Sequence, residues 1–565
     1  MAYIWKLPQK PSQDFVDKFP ELHPIVVQLL YNRNLKTQDE IDEFLSPDYS
    51  KDVHDPHLFK DMEKACQRIY RAIKEQELIT VYGDYDADGV SSAVILRSVL
   101  KNLGANVEVY LPHREKEGYG LNNKAVEELA HKTKVIITCD CGISNKQEID
   151  LANDKGVDII ITDHHTIPDE LPKALAIIHP QVKGEQYPFK YLAGGGVAFK
   201  LAQALLSHVK NELSDKEKEI NEKWLLDMVA LSTVADMVPL LGENRTLLKY
   251  GMLVLKKTKR IGMSKLIEVA GLDVNKIDTR AISFSLAPRV NAAGRMDHAN
   301  LAYYLMIEED ETKATELASE LNQSNLDRQK LTERIVREAK SQSIDENDSL
   351  LFFYNAEWSS GLTGLVSGRL SREYSRPVFV MTEVDGVIVG SGRSIPEFNI
   401  IEALQDNEDL LIKYGGHPQA CGFSMEISKK DIFVERLKAL ATEKLKNVEF
   451  KAKLDIELSI NFEDISWELV DLLERFHPYG QMNPEPLFMS TGLSVTSLRQ
   501  VGNDGKHLKL EVSKGNKKKS AIAFGLGNIK LELGDKIDIV YNSSINQWNG
   551  NREIQLIIKD IKNNG

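Results

Sequence analysis

Three aspartates stand within five residues in the stretch V-Y-G-D-Y-D-A-D-G-V-S-S at 81–92: Asp84, Asp86 and Asp88. Carboxylates this close resist ionising together, and a divalent cation is the simplest partner that relieves them. The ordinary alternative is that they cap a helix or sit in a solvated turn. Similar clusters recur downstream: T-C-D-C-G places Asp140, T-D-H-H places Asp163, His164 and His165, and L-S-T-V-A-D-M-V-P-L at 231–240 places Asp236. Any one of them reads as an Asp in a turn or a His bonded to a carbonyl. Four in one chain point to a metal centre. Carboxylates with one or two imidazoles favour Mn²⁺ or Mg²⁺ over a structural zinc, which takes thiolates or more histidines. An aspartate shared between two such ions is the usual basis of two-metal hydrolysis, in which water becomes hydroxide and the charge of a phosphoryl group is steadied.

The elements around these residues explain how they meet. An apolar run at 78–82 reads as a buried strand and 90–100 has helical spacing, so the three aspartates fall in the turn between them, with Gly89 allowing a tight bend. Strands at 78–82, 105–111, 134–138 and 157–162 alternate with helices, which predicts a doubly wound parallel α/β sheet. Ligands of such sheets bind beyond the carboxyl ends of the strands, where the acidic clusters lie. Short helices at 14–19, 23–31 and 37–44 precede it, the last with Thr37 as N-cap. A long helix at 315–342, with Leu317, Leu321, Leu331 and Ile335 on one side, leads to a second α/β unit with strands at 350–354, 377–382 and 386–390. In that unit G-S-G-R-S at 390–394 is either an ordinary turn or a loop whose N–H groups and guanidinium hold a phosphate.

The last part of the chain has short strands at 453–458, 508–512, 519–524, 536–541 and 553–558, spaced as in a small barrel. Lys514, Lys517, Lys518 and Lys519 make a basic hairpin, and His507, Phe524 and Trp548 offer stacking faces for a single strand. Equally, Phe524 fits a core position and the lysines a solvated turn. A second basic run, Lys256, Lys257, Lys259 and Arg260, reads as an exposed helix end.

A chain of 565 residues is too long for one core, and about three or four domains are expected. No apolar run reaches the roughly 18 residues of a membrane span, and the start has no signal-peptide core, so no membrane partner and a cytoplasmic location are expected. The four cysteines have neither zinc-ligand spacing nor disulfide density. A net charge of -13 argues against a nucleic-acid partner in the sum, but local basic patches weigh more.

D-Y-D-A-D-G, the Asp140 turn, D-H-H and the Asp236 segment together resemble the four motifs of the DHH phosphoesterase superfamily. Within it the chain resembles the RecJ single-stranded-DNA exonucleases over nearly its whole length. The markers are E-G-Y-G-L-N at 117–122, A-P-R-V-N-A-A-G-R at 287–295, L-N-Q-S-N-L-D-R-Q at 321–329, G-G-H-P-Q-A-C-G at 415–422, P-Y-G-Q-M-N-P-E-P at 478–486 and W-N-G at 548–550. The resemblance implies a parallel-sheet DHH domain behind the N-terminal helices (1–314), a connecting helix (315–347), a second α/β, DHH-associated domain that binds substrate (348–448) and an OB-fold barrel (449–565).

It also implies one ion among Asp86, Asp140, His164 and Asp236, and a second at Asp84 and Asp140, with Asp140 bridging. For Asp88 and His165 it leaves three roles open: ligand, orienting group or phosphate donor. Ser391 and Arg393 are implied to hold a 5′-terminal phosphate, and Arg114, Arg289, Arg295 and His417 to line the cleft where a strand threads. Thr80 occupies a position where other superfamily branches place histidine, which matches the RecJ branch and implies a weaker first metal site. One departure stands out: Ser359 follows Trp358 where the family often has His or Asn. The implied activity is Mn²⁺- or Mg²⁺-dependent 5′ to 3′ degradation of single-stranded DNA to mononucleotides in recombination and repair, beside a single-strand-binding protein and a helicase. The rival readings are a DHH phosphodiesterase for short RNA or cyclic dinucleotides, which usually lacks the barrel, and a silent DNA-binding relative, which typically loses metal-site aspartates.

Overall fold

The structure is a computed structural model describing residues 3–114, 116–208, 214–296, 298–345, 347–548 and 551–564. It divides into two compact units, Val53–Val238 with Leu247–Phe450, and Met1–Asp52 with Pro239–Thr246 and Lys451–Gly565.

The larger unit is built on a wholly parallel sheet of β1 (Leu78–Gly83), β2 (Asn106–Tyr110), β3 (Val135–Cys139), β4 (Asp158–Thr162) and β5 (Ala176–Ile178), in the order β2-β1-β3-β4-β5. Strands β1, β3 and β4 are runs of Ile, Val and Thr buried on both faces, as helices on either side of a parallel sheet require. Register aligns Gly83 with Cys139 and Cys139 with Thr162. The residues that follow, Asp84, Asp140 and Asp163, therefore leave the sheet side by side.

Three helices complete that edge: α1 (Ala87–Asn102), α2 (Gly194–His208) and α3 (Leu226–Ala235), packed on one another. Next come α4 (Ala287–Met296) and the 30-residue α5 (Glu311–Lys340), whose start is capped by Asp310 accepting from Lys313 N–H. Ala314, Ala318, Leu321 and Asn325 form a buried stripe at helical spacing. Of the four apolar positions expected to face inward, Leu321 and Ile335 are buried, whereas Leu317 and Leu331 are half-buried. Small alanines take much of the contact and let neighbouring helices approach closely.

The far end of α5 enters a second core. Ile335, Val336 and Ala339 pack with Trp358, Leu362, Val366 and Leu370 of α6 (Ser360–Tyr374) and with strands of a mixed sheet. That sheet comprises β6 (Leu351–Tyr354), β7 (Val378–Val384), β8 (Val387–Arg393), β9 (Lys413–His417) and β10 (Ala420–Glu426), ordered β9-β10-β8-β7-β6. The predicted G-S-G-R loop is strand: Gly390 to Arg393 pair with both β7 and β10.

In the smaller unit five strands, β11 (Phe488–Val501), β12 (His507–Lys514), β13 (Lys517–Ala523), β14 (Lys536–Trp548) and β15 (Asn551–Asn563), close into a barrel because β11 pairs with both β12 and β14. The sequence reading missed β11, whose register shifts at two places and so breaks the alternation of buried and exposed residues. It also drew 453–458 as one strand, which splits into Lys453–Asp455, paired with Ile4–Lys6, and Leu458–Ser459, paired with β11. A second correction concerns the N-terminal helices, assigned to the catalytic domain. Phe15, Leu29, Leu30, Ile41 and Phe44 share one core with Phe476, Phe488, Val512 and Ile539 of the barrel unit. Their apolar faces are short, and the barrel supplies the surface that buries them.

Candidate metal centre

Each acidic residue reaches the sheet edge through a different local device. Asp86 is the N-cap of α1, its Oδ1 accepting from the N–H groups of Asp88 (2.9 Å) and Gly89 (3.1 Å). The capping alternative thus holds for one oxygen of Asp86. Gly89 lies inside α1 and is needed for room rather than for a tight bend: a Cβ there would be 2.4 Å from the Asp84 carbonyl oxygen. Asp140, directly after β3, adopts a left-handed backbone, φ 61°. Asp236 is the C-cap of α3.

Ligand atoms of these residues fall into three overlapping groups, each within 4.8 Å: Asp84, Asp86 and Asp140; Asp140, His164 and His165; and Asp88, His164 and Asp236. Asp140 belongs to two of them. The family resemblance implies Asp86 beside Asp140, His164 and Asp236, whereas here Asp86 stands with Asp84 and Asp140, and Asp88 takes the place beside His164 and Asp236. Nε2 of His164 is 3.1 Å from Asp140 Oδ1 and 3.6 Å from both Asp88 Oδ2 and Asp236 Oδ2.

Burial, reinforced by neighbouring carboxylates, pushes the carboxyls of Asp84 and Asp140 well above their ordinary range and raises Asp86. Asp236 is pushed up to about 9 by burial and by the charges of Asp88 and Asp86. Burial drives His164 down to about 4, leaving a neutral imidazole with a lone pair to offer. The donor set fits a hard divalent cation. Oδ1 of Asp84 is buried with no hydrogen-bond partner among the described residues, and the charges of His165 and Arg114 only partly offset the crowd of oxygens around it.

Asp163 does different work. It is fully buried and holds the loop, accepting from the N–H groups of Ile143, His164 and His165, while His165 Nδ1 lies 2.8 Å from its Oδ1. Burial opposes charge on both residues, but their pairing prevails, taking Asp163 down to about 2 and His165 up to about 9.

Sequence reasoning missed what anchors Asp88. Its Oδ2 accepts from Gly194 N–H and its Oδ1 from Gly195 N–H, both at 2.8 Å, and from Ser232 Oγ at 2.6 Å. The glycines are required by close approach, since a Cβ on Gly194 would be 2.7 Å from the Asp140 side chain. The run G-G-G at 194–196 was the available signal. Also missed was Tyr119, whose hydroxyl donates to the Asp140 carbonyl (3.2 Å) and sits 2.9 Å from His165 Nδ1, the physical content of the E-G-Y-G-L-N marker. Thr80 is buried in β1, bonded to Glu108 and Thr133, and adds nothing to the cluster.

Of the expected substrate residues, Arg114 lies over the Tyr85 ring at 4.8 Å, close enough that its charge opposes the rise at Asp84 and adds to burial in depressing Arg295 and Arg393. Burial takes Arg295 down to about 9 while its Nη1 donates to the Gly361 carbonyl (3.0 Å) at the start of α6. Arg393 and Ser391 face Gly364 of α6, where a Cβ would be 3.3 Å from Arg393 Nη2 and 3.6 Å from Ser391 Oγ. The structure thus brings Arg114, Arg295 and Arg393 into one electrostatic neighbourhood. Arg289 is turned to α5 and its own helix, donating to Asn322 Oδ1 (3.0 Å) and the Ser285 carbonyl (2.7 Å). His417 is exposed on β9, in a row with Ala420 and Arg393 across three strands. On the barrel, Phe524 is 56% exposed and meets His507 edge-on at 5.3 Å, so the core alternative for Phe524 fails. The side chain of Trp548 lies outside the described residues.

Comparisons with known proteins agree with this architecture. Family models match as "DHH family, N-terminal domain" over 78–233, "DHHA1 domain" over 347–443 and "RecJ OB domain" over 456–560. The chain is 37% identical over 568 aligned positions to the single-stranded-DNA-specific exonuclease RecJ of Bacillus subtilis, covering 98% of this chain and 70% of that protein. It is 33% identical to the protein of that name from Escherichia coli, covering 98% and 99%. Among solved structures, RecJ from Thermus thermophilus in complex with Mn²⁺ superposes with a TM-score of 0.84 at 28% identity, covering 99% of this chain and 79% of that one. An exonuclease RecJ bound to manganese gives 0.60 at 33% identity over 69% of this chain and 98% of that one. With matches of this extent across both units, the chain belongs to the RecJ family of single-stranded-DNA-specific exonucleases.

Proposed function

We propose that this protein degrades single-stranded DNA from the 5′ end to 5′-mononucleotides, with Asp84, Asp86, Asp140, His164 and Asp236 holding two divalent ions and Asp140 shared between them. The observation that carries the reading is the set of overlapping acid and imidazole groups around Asp140, together with the unpartnered oxygen of Asp84. Bound there, Mn²⁺ or Mg²⁺ supplies hydroxide at neutral pH and neutralises charge on a phosphoryl group.

The chain's own residues do the rest. Asp88, clamped by Gly194, Gly195 and Ser232, fixes the start of α1 against α2 and α3 and so sets where Asp86 and Asp236 stand. His165, kept protonated by Asp163, turns its other ring nitrogen toward the substrate phosphate as a donor. Arg393, Ser391, Arg114 and Arg295 form the seat of the 5′-terminal phosphate. The DNA-holding role extends to Arg289, His417 and the basic, aromatic face of the barrel. The reading places the work in recombination and repair in the cytoplasm, beside a single-strand-binding protein and a helicase.

Strands labelled at either end, incubated with Mn²⁺, Mg²⁺ or chelator, test it. Mononucleotides should appear from the 5′ end only with metal, and Asp140→Ala should retain binding without cleavage. Arg393→Ala should lose the preference for a phosphorylated 5′ end. Cleavage by Asp140→Ala at the parent rate would refute the metal assignment.

A further inference from the structure

At the far end of α1 and α3 from the carboxylates lies a cavity of about 400 Å³. Its walls are the last turns of α1, the segment before α3, the Lys259 region and the end of the Asn300–Ile307 helix. Arg97 and Lys101 sit one helical turn apart on α1, and Lys259 Nζ rests 4.3 Å from the centre of the Trp224 ring rather than on a carboxylate.

Three acids line the cavity, of which two are engaged and the third, Glu309, is exposed to solvent. Asp227 is buried and bonded by Arg260 (3.2 Å) and Thr258 (2.9 Å), and Glu308 accepts from the N–H groups of Glu309 and Asp310. Among the described residues Arg97, Lys101 and Lys259 therefore converge with no ion pair of their own. An indole, three cations without a carboxylate partner among the described residues and a volume at the small-ligand scale make an anion site with room for a ring.

We propose that this cavity binds a nucleoside phosphate, with Trp224 walling the base and Arg97, Lys101 and Lys259 taking the phosphate groups. Helix rise separates it from Asp86 and Asp236 by about 15–20 Å, so it is a different site from the metal centre. The basic run at 256–260 thereby acquires a ligand.

Calorimetric titration of the full chain in chelator, with ATP, GTP, dAMP and inorganic phosphate as separate probes, tests the assignment. At least one nucleotide should bind one-to-one, about tenfold or more tighter than phosphate. The double variant Arg97→Glu/Lys101→Glu should lose about tenfold or more in affinity, while Arg393→Ala should bind as the parent does. Lys259→Ala, an exposed change, serves as the second variant should the double one not fold. No heat with any nucleotide, equal affinity for phosphate, undiminished binding in the cavity variants, or loss in Arg393→Ala would each overturn the proposal.

Discussion

Asp84 carries the unsatisfied atom of the site: a buried carboxylate oxygen with no hydrogen-bond partner among the described residues, beside the like charge of Asp86. Its raised pKa means that its contribution to stability is present at acid pH and lost as pH rises. At pH 8 in chelator, Asp84→Asn should therefore melt higher than the parent, by about 1–3 kcal/mol for one relieved buried group, with the gap closing in acid. Mn²⁺ should reverse the order, raising the parent's midpoint by an amount set by saturation, about 2.7 kcal/mol at a hundred times Kd, and raising the variant's less. Scanning calorimetry with and without metal reads both. The residues of this site were legible because three carboxylates in five positions and an adjacent histidine pair are chemically conspicuous. The bonds to Asp88 were not, because they come from Gly194, Gly195 and Ser232, more than a hundred positions away.

At the level of elements, the packing of α2 on the strand ends decides whether the carboxylates converge. Gly194→Ala would place a methyl 2.7 Å from the Asp140 side chain. The expected result is a folded protein, by circular dichroism, destabilised by about 1–3 kcal/mol, whose Mn²⁺-induced rise in melting point is lost. A pH effect belongs to the helix Gln38–Leu45. Burial, then the charges of Asp52, Glu243 and Glu40, raises Glu43 to about 7 from an ordinary 4.5. The parent accordingly loses stability between those two values as pH rises. Glu43→Gln should match it below pH 4.5 and exceed it above pH 7 by about 1 kcal/mol after solvent screening, measured as denaturation midpoints across pH.

Periodicity gave away the parallel sheet because β1, β3 and β4 are continuous apolar runs. It hid β11, where bulges shift the register, and it saw 390–394 as a loop because Gly and Ser look alike in turns and in crowded strands. In β8 the glycines make room for neighbours instead: a Cβ on Gly392 would be 2.5 Å from Ile400 and 2.7 Å from Cys421.

Taken whole, the chain folds its smaller unit from three separated stretches. Arg245 joins them, fully buried, stacked 3.9 Å from the Phe44 ring and donating to the carbonyls of Phe44 (2.7 Å), Arg475 (2.9 Å) and His477 (2.8 Å). Arg245→Ala strands those acceptors and opens a cavity, so a loss of about 3 kcal/mol or more is expected, seen as faster hydrogen exchange at barrel amides. No local pattern announces this residue, since each of its partners is about two hundred positions away. The N-terminal helices were misassigned for the same reason, their amphipathic pattern naming a buried face without naming what buries it.

Closure of the barrel has its own consequence. Each of the five long strands has a partner on either side over part of its length, whereas Asn542–Trp548 overhangs the ring and is held on one side alone, by β15. Amides within the ring should then exchange together and slowly, and those of the overhanging hairpin end ahead of them.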